Sequence, residues 1–181
     1  MFNCKCFPIS FKKRKKTNRY RATKNILLKN FQIPKINNIE TLYKLKLIQK
    51  GGKSVIYKAT RNNQLYIIKT NKGSIYMANI LREIKILKKL THPRIINMSD
   101  YYQEIDKKQI YMVMNYFQQD LFDYLSKNDC KLPENDIFKI CQTILSILVY
   151  FQKKNIVHLD LKPENFVLNN NQAVLARLNL N

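Results

Sequence analysis

The sequence is poor in glycine, in acidic residues and in long apolar runs. It has three glycines, no tryptophan, and 12 acidic against 33 basic side chains, a formal net charge of +21. No apolar run approaches the ~20 residues that a membrane-spanning helix needs, so we expect no bilayer-crossing segment. The four cysteines are too few and too unevenly placed to form the disulfide framework of a small secreted protein. An intracellular, cytoplasmic location is therefore the expectation.

The chain nevertheless has the composition of a folded protein with one basic end. Its 181 residues are 45% hydrophobic and 11% aromatic, enough for a packed core of about one domain. The basic residues are unevenly distributed, because residues 1–39 contain 11 of them and no acid. Dense like charges repel one another and favour extended chain. We therefore predict a basic, disordered arm over residues 1–39.

Beyond the arm, the hydrophobic pattern changes from strands to helices and back. Asn62 and Asn63 separate two alternating segments and predict a hairpin turn, because asparagine tolerates positive φ. A helix is predicted by Ile80, Ile84 and Leu87, which recur at helical spacing. Further strands and helices are predicted at residues 42–49, 55–60, 64–70, 109–117, 120–125, 133–151, 166–168 and 173–178. This order indicates an α+β fold in two lobes.

Glu83 lies on the apolar face of the first predicted helix, where an unpaired carboxylate would be costly. Lys69 ends a strand and alternates onto the same face as Leu65 and Ile67, which makes it a natural cationic partner. A partly exposed surface pair on a lysine-rich helix is equally consistent with the spacing. The sequence leaves these two interpretations open.

The segment GGKS at residues 51–54 resembles the end of a phosphate-binding P-loop, but it does not fit that motif. Leu47 stands where the first glycine is required, and a β-branched strand follows instead of a helix N-terminus. A glycine turn between strands suits a flap whose backbone closes over a ligand. A simple tight hairpin is the better local interpretation.

The segment HLDLKPEN at residues 158–165 places a carboxylate, an ammonium and an amide on one loop after a long helix. Asp160, Lys162 and Asn165 could serve as a general base, an anion clamp and a metal ligand. The segment resembles the catalytic loop of the protein kinase family, H-R-D-L-K-x-x-N. Its lysine two places after the aspartate is the serine/threonine form of that loop.

The resemblance extends from about Leu42 to Leu175 in the order of the family's motifs. It implies a kinase-like fold, with an antiparallel-sheet N-lobe carrying one helix at 42–116, a hinge, and an incomplete, mainly helical C-lobe at 117–181. Its cofactors would be ATP and Mg²⁺. The resemblance assigns the ATP-binding positions to Ile48, Gly51, Ile56, Ile67, Lys69, Glu83, Met114 as gatekeeper, Asn115, Phe117 and Asp120.

The resemblance also implies roles in catalysis. Lys69 would hold the α- and β-phosphates and pair with Glu83, and Asp160 would accept the proton of the substrate hydroxyl. Lys162 would contact the γ-phosphate, and Asn165 would bind magnesium. His158 is expected to be a packed structural histidine, and His92 a turn residue.

Several positions depart from the family pattern. Gln49 and Ser54 replace two of its three loop glycines, and Ile67 stands where a small alanine is usual. Leu159 replaces the arginine that pairs with a phosphorylated activation loop. Leu178 falls near the place of the magnesium-binding aspartate and offers no oxygen ligand.

The long helix from Pro133 to Phe151 is apolar on more than one face, as expected for a helix that packs on several sides. The segments that would cover it in the family do not follow in this chain. We therefore predict a large exposed apolar patch that promotes association.

The basic arm has three interpretations, which we rank in order. The first is a solvated tail. The second is contact with an anionic membrane, because Cys4 and Cys6 precede the basic cluster at residues 11–16 and would suit double acylation. The third, and least favoured, is a nuclear-import or nucleic-acid-binding arm.

Two functions are therefore expected for the chain. The first is a protein serine/threonine kinase, present as an incomplete domain, that acts on a protein hydroxyl. The second is a catalytically inactive, kinase-like binding module or a truncated fragment of a kinase. ATP is the expected ligand in both cases, together with a protein substrate or a protein partner.

Overall fold

The computed structural model describes residues 31–169 and 172–178. The predictions for Cys4, Cys6 and most of the basic arm lie outside these residues. The strands are β1 (Lys35–Ile36), β2 (Lys44–Lys50), β3 (Ser54–Arg61), β4 (Gln64–Asn71), β5 (Met98–Glu104), β6 (Gln109–Asn115), β7 (Phe166–Asn169) and β8 (Gln172–Leu175). The helices are α1 (Met77–Leu87), α2 (Leu121–Lys127) and α3 (Glu134–Lys153), with short 3-10 turns at Ile39–Thr41, Ser74–Tyr76 and Pro163–Asn165.

Six strands form one sheet in the order β1-β5-β6-β4-β3-β2, and β7 and β8 form a separate hairpin. All neighbours in the large sheet are antiparallel except β1 and β5. The sheet precedes the two helices α2 and α3, so the fold is α+β as predicted. Within the described residues, no helix combines the length and apolarity needed to cross a membrane.

The β3–β4 hairpin turns where the sequence predicts it. Asn62 and Asn63 both have positive φ, at 49° and 61°. This is the backbone of a two-residue turn whose twist matches that of the flanking strands, and asparagine adopts it more readily than most residues. The turn fixes the register in which Ile56 lies opposite Lys69.

One face of the sheet is covered by the chain that precedes β2. Ile39 and Tyr43 are buried there against Ala59, Ile68 and Val113. The apolar side chains of this outer cluster exclude water from one side of the sheet. The functional side chains must therefore project from the opposite face.

The covering segment begins inside the region that the sequence analysis assigned to the arm. β1 pairs in parallel with β5, and the side chain of Ile39 is buried. The sequence also did not single out β5, because four of its seven residues are polar. β1 forms through pairing with residues distant in sequence, which local periodicity does not reveal, whereas β5 pairs along its length with the neighbouring strand β6.

Helix α1 packs against the face of the sheet opposite the outer cluster. Its buried residues are Ile80, Glu83, Ile84 and Leu87, as the helical spacing predicts. Helix α3 is different, because only Thr143, Ile147 and Phe151 are buried along its 20 residues. Several of its remaining apolar side chains, Phe138 and Leu145 among them, are exposed.

The β7–β8 hairpin is joined to the loop that follows α1. Leu175 donates its N–H to Arg94 O at 2.9 Å and accepts at its own carbonyl from Ile96 N at 2.9 Å. Thr91 N donates to the hydroxyl of Tyr150 on α3 at 2.8 Å. These bonds place the segment after β8 beside the large sheet.

Candidate active site

Cross-strand pairing places four of the predicted nucleotide-binding side chains on one face of the sheet: Ile56, Ile67, Lys69 and Met114. Ile56, Lys69 and Met112 are successive partners across β3, β4 and β6. In the next row, Ile67 pairs with Met114. Directly paired residues project to the same side of a sheet. This cleft face is the side opposite the outer cluster, where α1 packs.

The cleft face carries a close ion pair. Lys69 Nζ donates to both carboxylate oxygens of Glu83, at 2.8 Å and 2.7 Å. The two side chains are only 16% and 9% exposed. The pair is therefore largely buried, and the alternative of an exposed surface pair is wrong. A bidentate contact of this kind fixes the position of the ammonium.

The glycine turn between β2 and β3 is tight, and its backbone closes on itself. Gly51 N donates to Ser54 O at 2.9 Å. A Cβ at Gly51 would lie 3.2 Å from that carbonyl oxygen, so glycine relieves a close approach. Before the turn, a bulge falls between Leu47 and Gln49, and Ile48 is 53% exposed.

The segment after β6 is where the resemblance places the hinge. Met114 is buried, Asn115 is exposed and Phe117 is half-buried. Lys58 on β3 places its ammonium 4.6 Å from the centre of the Tyr116 ring. This cation–π contact joins the sheet to the hinge, and no local pattern in the sequence predicts it.

Asp120 begins helix α2 as its N-cap. Its Oδ1 accepts from Asp123 N at 2.8 Å, which satisfies one of the free N–H groups of the first turn. Its backbone forms a bridge with Val167 of β7. The side chain of Asp120 therefore caps α2, and its predicted contact with the nucleotide stays a prediction.

The loop at residues 158–165 brings its three polar groups together. Lys162 Nζ lies 3.2 Å from Asp160 Oδ2. The side chain of Asn165 is buried, and its Nδ2 donates to the backbone carbonyl of Asp160 and, at 3.4 Å, to Oδ2. The hydrogen bonds from Lys162 and then Asn165 lower the pKa of Asp160 below its ordinary value. Its carboxylate is thus ionised at neutral pH.

His158 supports this loop as a packed structural residue, as predicted. Asp160 N donates to His158 Nδ1 at 3.2 Å, so the ring proton of a neutral imidazole lies on Nε2. His158 Nε2 lies 2.9 Å from Arg177 O and donates its N–H to that carbonyl oxygen. The ring also stacks on Phe151. His92 accepts from Arg94 N at Nδ1 and is the turn residue that was expected.

Arg177 is the site residue that sequence reasoning missed. Its Nη2 donates to Gln49 Oε1 at 3.4 Å, joining the segment after β8 to the strand before the glycine turn. Gln49 is paired with Ile56 and so lies on the cleft face. Neither Arg177 nor Gln49 matches a residue of a family motif, and a contact between residues so far apart in the sequence leaves no local pattern.

The fold and this site together define a two-lobed kinase domain. The sequence model of the protein kinase domain matches residues 42–178. The chain therefore belongs to the eukaryotic-type protein kinase family.

The curated relatives are named as serine/threonine-protein kinases or as a cyclin-dependent kinase. The chain is 29% identical over 136 residues to serine/threonine-protein kinase 36 of Mus musculus, covering 72% of the chain and 10% of that protein. It is 31% identical over 138 residues to cyclin-dependent kinase 1 of Encephalitozoon cuniculi (strain GB-M1), covering 71% and 46% respectively. With serine/threonine-protein kinase TIO of Arabidopsis thaliana it is 28% identical over 136 residues, covering 72% and 10%. The chain thus spans less than half the length of each of these relatives.

The family implies magnesium, but the residues at the expected positions do not fit it. Magnesium is usually held by one or two carboxylates together with substrate phosphates. Asn165 offers one amide oxygen, while Leu178 offers none. Among the residues that the structure describes, no group of three His, Cys, Asp or Glu side chains could hold a metal ion. The side chains of Asn165 and Leu178 therefore do not supply the carboxylates of a magnesium site.

Proposed function

We propose that the chain binds ATP between the cleft face and the loop carrying Asp160, and transfers the γ-phosphoryl group to a serine or threonine hydroxyl. The observation that carries the proposal is the ion pair of Lys69 with Glu83. An ammonium has three donors, and Glu83 accepts two of them through its two oxygens. The third remains for a phosphate oxygen.

The proposed contacts follow the geometry of the site. Lys69 would bind the α- and β-phosphates, and Lys162 the γ-phosphate. The adenine and ribose would contact Ile48, Gly51, Ile56, Ile67, Met114, Asn115, Phe117 and Asp120. The lobes proposed at 42–116 and 117–181 meet in the irregular segment between β6 and α2.

In the proposed transfer, the oxygen of the protein hydroxyl attacks the γ-phosphorus. The bond from that phosphorus to the β–γ bridging oxygen breaks, and ADP leaves. Asp160 accepts the proton of the hydroxyl, which is a role that its ionised carboxylate permits. Lys162, paired with Asp160, would balance charge on the transferred group.

A second candidate is a kinase-like module that binds ATP but does not transfer phosphate. The observation that favours it is Leu178, which offers no oxygen where the family has a metal ligand. Leu159 adds support, because its side chain is exposed and apolar where the family has an arginine. In this case the chain would bind a protein partner and would not phosphorylate a protein substrate.

ATP binding can be tested by thermal shift on the purified 181-residue chain. We expect ATP to raise Tm in the wild type and to have no effect in Lys69→Met. The methionine lacks the ammonium group that would donate hydrogen bonds to the phosphates. Glu83→Gln should reduce the shift, because the ammonium loses its charged anchor. Lys139→Met is the matched control, since Lys139 is on α3 and pairs with Asp136. The absence of any shift in folded wild type would contradict the proposal.

Phosphoryl transfer separates the two candidates. We expect transfer of label from γ-labelled ATP to a generic protein substrate, reduced at least about 100-fold in Asp160→Asn because a general base is lost. ATP binding should remain in that variant. Binding without transfer in the wild type would exclude the first candidate and support the second.

The arm and the location of the protein remain separate proposals. We propose an intracellular, cytoplasmic protein whose arm is a solvated tail, with membrane contact as the second interpretation and nucleic acid as the third. Sedimentation with vesicles that contain anionic lipid tests whether the solvated tail ranks above membrane contact. Binding that is lost when residues 1–30 are removed would favour the membrane interpretation over the tail.

A further inference from the structure

The backbone of Arg177 is held on both sides by the residues around Asp160. Arg177 N donates to Asn165 O at 3.2 Å, and Arg177 O accepts from His158 Nε2, 2.9 Å away. Ala176 N also donates to Asn165 O, at 2.8 Å. These hydrogen bonds hold the Cα of Arg177 beside the loop that carries Asp160.

From that point, the guanidinium of Arg177 reaches the base of the glycine turn. Its contact there is the neutral amide of Gln49, which lies opposite Ile56 on the cleft face. Ile56 is in turn the cross-strand partner of Lys69. A cation is thus placed on the same side of the sheet as Lys69, in the residue directly before Leu178.

The two lysines proposed to contact phosphate are each paired with a carboxylate. Lys69 pairs with Glu83, and Lys162 pairs with Asp160. None of the ion pairs within the described residues includes Arg177. An arginine that donates to a neutral amide at 3.4 Å can exchange that weak bond for a charge-assisted one. A polyphosphate would supply the acceptor.

We infer that this cleft binds the phosphates of ATP without a divalent cation, with Arg177 supplying the positive charge that a metal ion would otherwise supply. The inference rests on the proposed ATP binding. The planar guanidinium suits it, because its fork of N–H groups matches two phosphate oxygens at once. The oxygen-free side chain of Leu178 removes a reason for a cation to bind there.

The test is isothermal titration of the 181-residue chain with ATP, in excess EDTA and in excess magnesium. We expect the Kd for ATP to agree within about twofold between the two conditions. In Arg177→Ala the Kd in EDTA should rise about tenfold, the size expected for one charge-assisted hydrogen bond. Lys139→Ala removes one positive charge on α3 and should leave the Kd unchanged.

Two ligands locate the effect. Adenosine has no phosphate, so its Kd should be the same in wild type and Arg177→Ala. Inorganic tripolyphosphate carries the charge without the base, and its binding should weaken in Arg177→Ala as that of ATP does. Circular dichroism of each variant checks that the fold is unchanged.

Each other result overturns the inference in a distinguishable way. ATP binding that requires magnesium would contradict the metal-independent site but leave the proposed function in place. Tighter ATP binding by Arg177→Ala would show that the arginine blocks the cleft instead of binding phosphate. An unchanged Kd for ATP in EDTA in Arg177→Ala would show that Arg177 does not bind the phosphates. Folded protein that binds neither ATP nor adenosine would overturn the proposed function itself.

Discussion

Glu104, the last residue of β5, is a buried carboxylate that contacts the outer cluster through Ile39 and Tyr111. It is 2% exposed. Tyr111 OH donates to its Oε2 at 3.0 Å, Ile39 N donates to the same oxygen at 3.4 Å, and Lys107 Nζ lies 2.8 Å from Oε1. Burial raises the pKa of Glu104, but the bonds from Lys107, Tyr111 and Ile39 outweigh it and hold the pKa below its ordinary value.

We predict that Glu104→Gln lowers the free energy of unfolding by about 1–3 kcal/mol at pH 7. The folded state binds the proton of Glu104 more weakly than the unfolded chain does. Its contribution is therefore complete above the ordinary carboxyl pKa of 4.5 and is lost as pH falls towards the folded pKa. Wild type should lose more stability than Glu104→Gln between about pH 5 and pH 3.5 in urea titrations.

The matched control for this prediction is Asp106→Asn. The carboxylate of Asp106 is exposed in the turn between β5 and β6, so its replacement should change stability by less than about 0.5 kcal/mol. Parallel pH profiles for wild type and Glu104→Gln would show that the carboxylate of Glu104 does not contribute as described.

At the scale of single elements, the β3–β4 turn provides a sharp test. Asn62 and Asn63 both have positive φ. A β-branched side chain is strained in this conformation, so Asn62→Val should cost about 1–2 kcal/mol. Asn63→Gly should be neutral or slightly stabilising, because glycine adopts positive φ freely. Urea denaturation at pH 7 measures both.

Asn97→Val is the control for the turn. Asn97 is exposed and is not among the residues with positive φ, so valine should be accommodated there without backbone strain. If Asn62→Val and Asn97→Val have the same stability, the backbone conformation assigned to the turn is wrong.

Helix α3 has an exposed apolar stripe. Phe138 and Leu145 are 60% and 61% exposed, and Ile137, Leu148 and Val149 are also exposed. The sequence predicted such a patch, and the structure confirms that these side chains are accessible within the described residues. Exposed apolar surface of this kind favours association.

We predict that Phe138→Gln and Leu145→Gln change the unfolding free energy little, within about 0.5 kcal/mol, and raise the fraction of monomer in size-exclusion chromatography. Ile147→Ala, on the buried side of the same helix, should cost about 2–5 kcal/mol because it leaves a cavity. Wild type that elutes as a monomer at every concentration would contradict the prediction of association.

At the scale of the whole molecule, the largest electrostatic feature is the net charge of +21. Self-repulsion of this size destabilises a compact state and is screened by salt. We predict that raising sodium chloride from 20 to 300 mM increases stability by about 1 kcal/mol, which is roughly 2–4 °C in Tm for a chain of this length. Sodium sulfate at matched ionic strength would separate screening from specific anion binding. A Tm that falls with salt would contradict the prediction.

The sequence by itself determined the family, the hairpin turn, the inward face of α1 and the loop that carries Asp160. These features depend on local periodicity, on the φ preferences of asparagine and on a dense motif, all of which can be read along the chain. The partnership of Lys69 with Glu83 was visible only as one of two alternatives. Burial decides between them, and burial depends on how α1 packs on the sheet.

Only the tertiary structure decided the contacts between distant segments. β1 pairs with β5 through residues that local pattern assigned to the arm, and Glu104 is buried by the chain that covers the outer cluster. Arg177 meets Gln49 across 128 positions of sequence. The backbone hydrogen bonds of the β7–β8 hairpin and of the large sheet position these two elements independently of such side chains. The side chains that then come into contact show no helical or strand periodicity in the sequence.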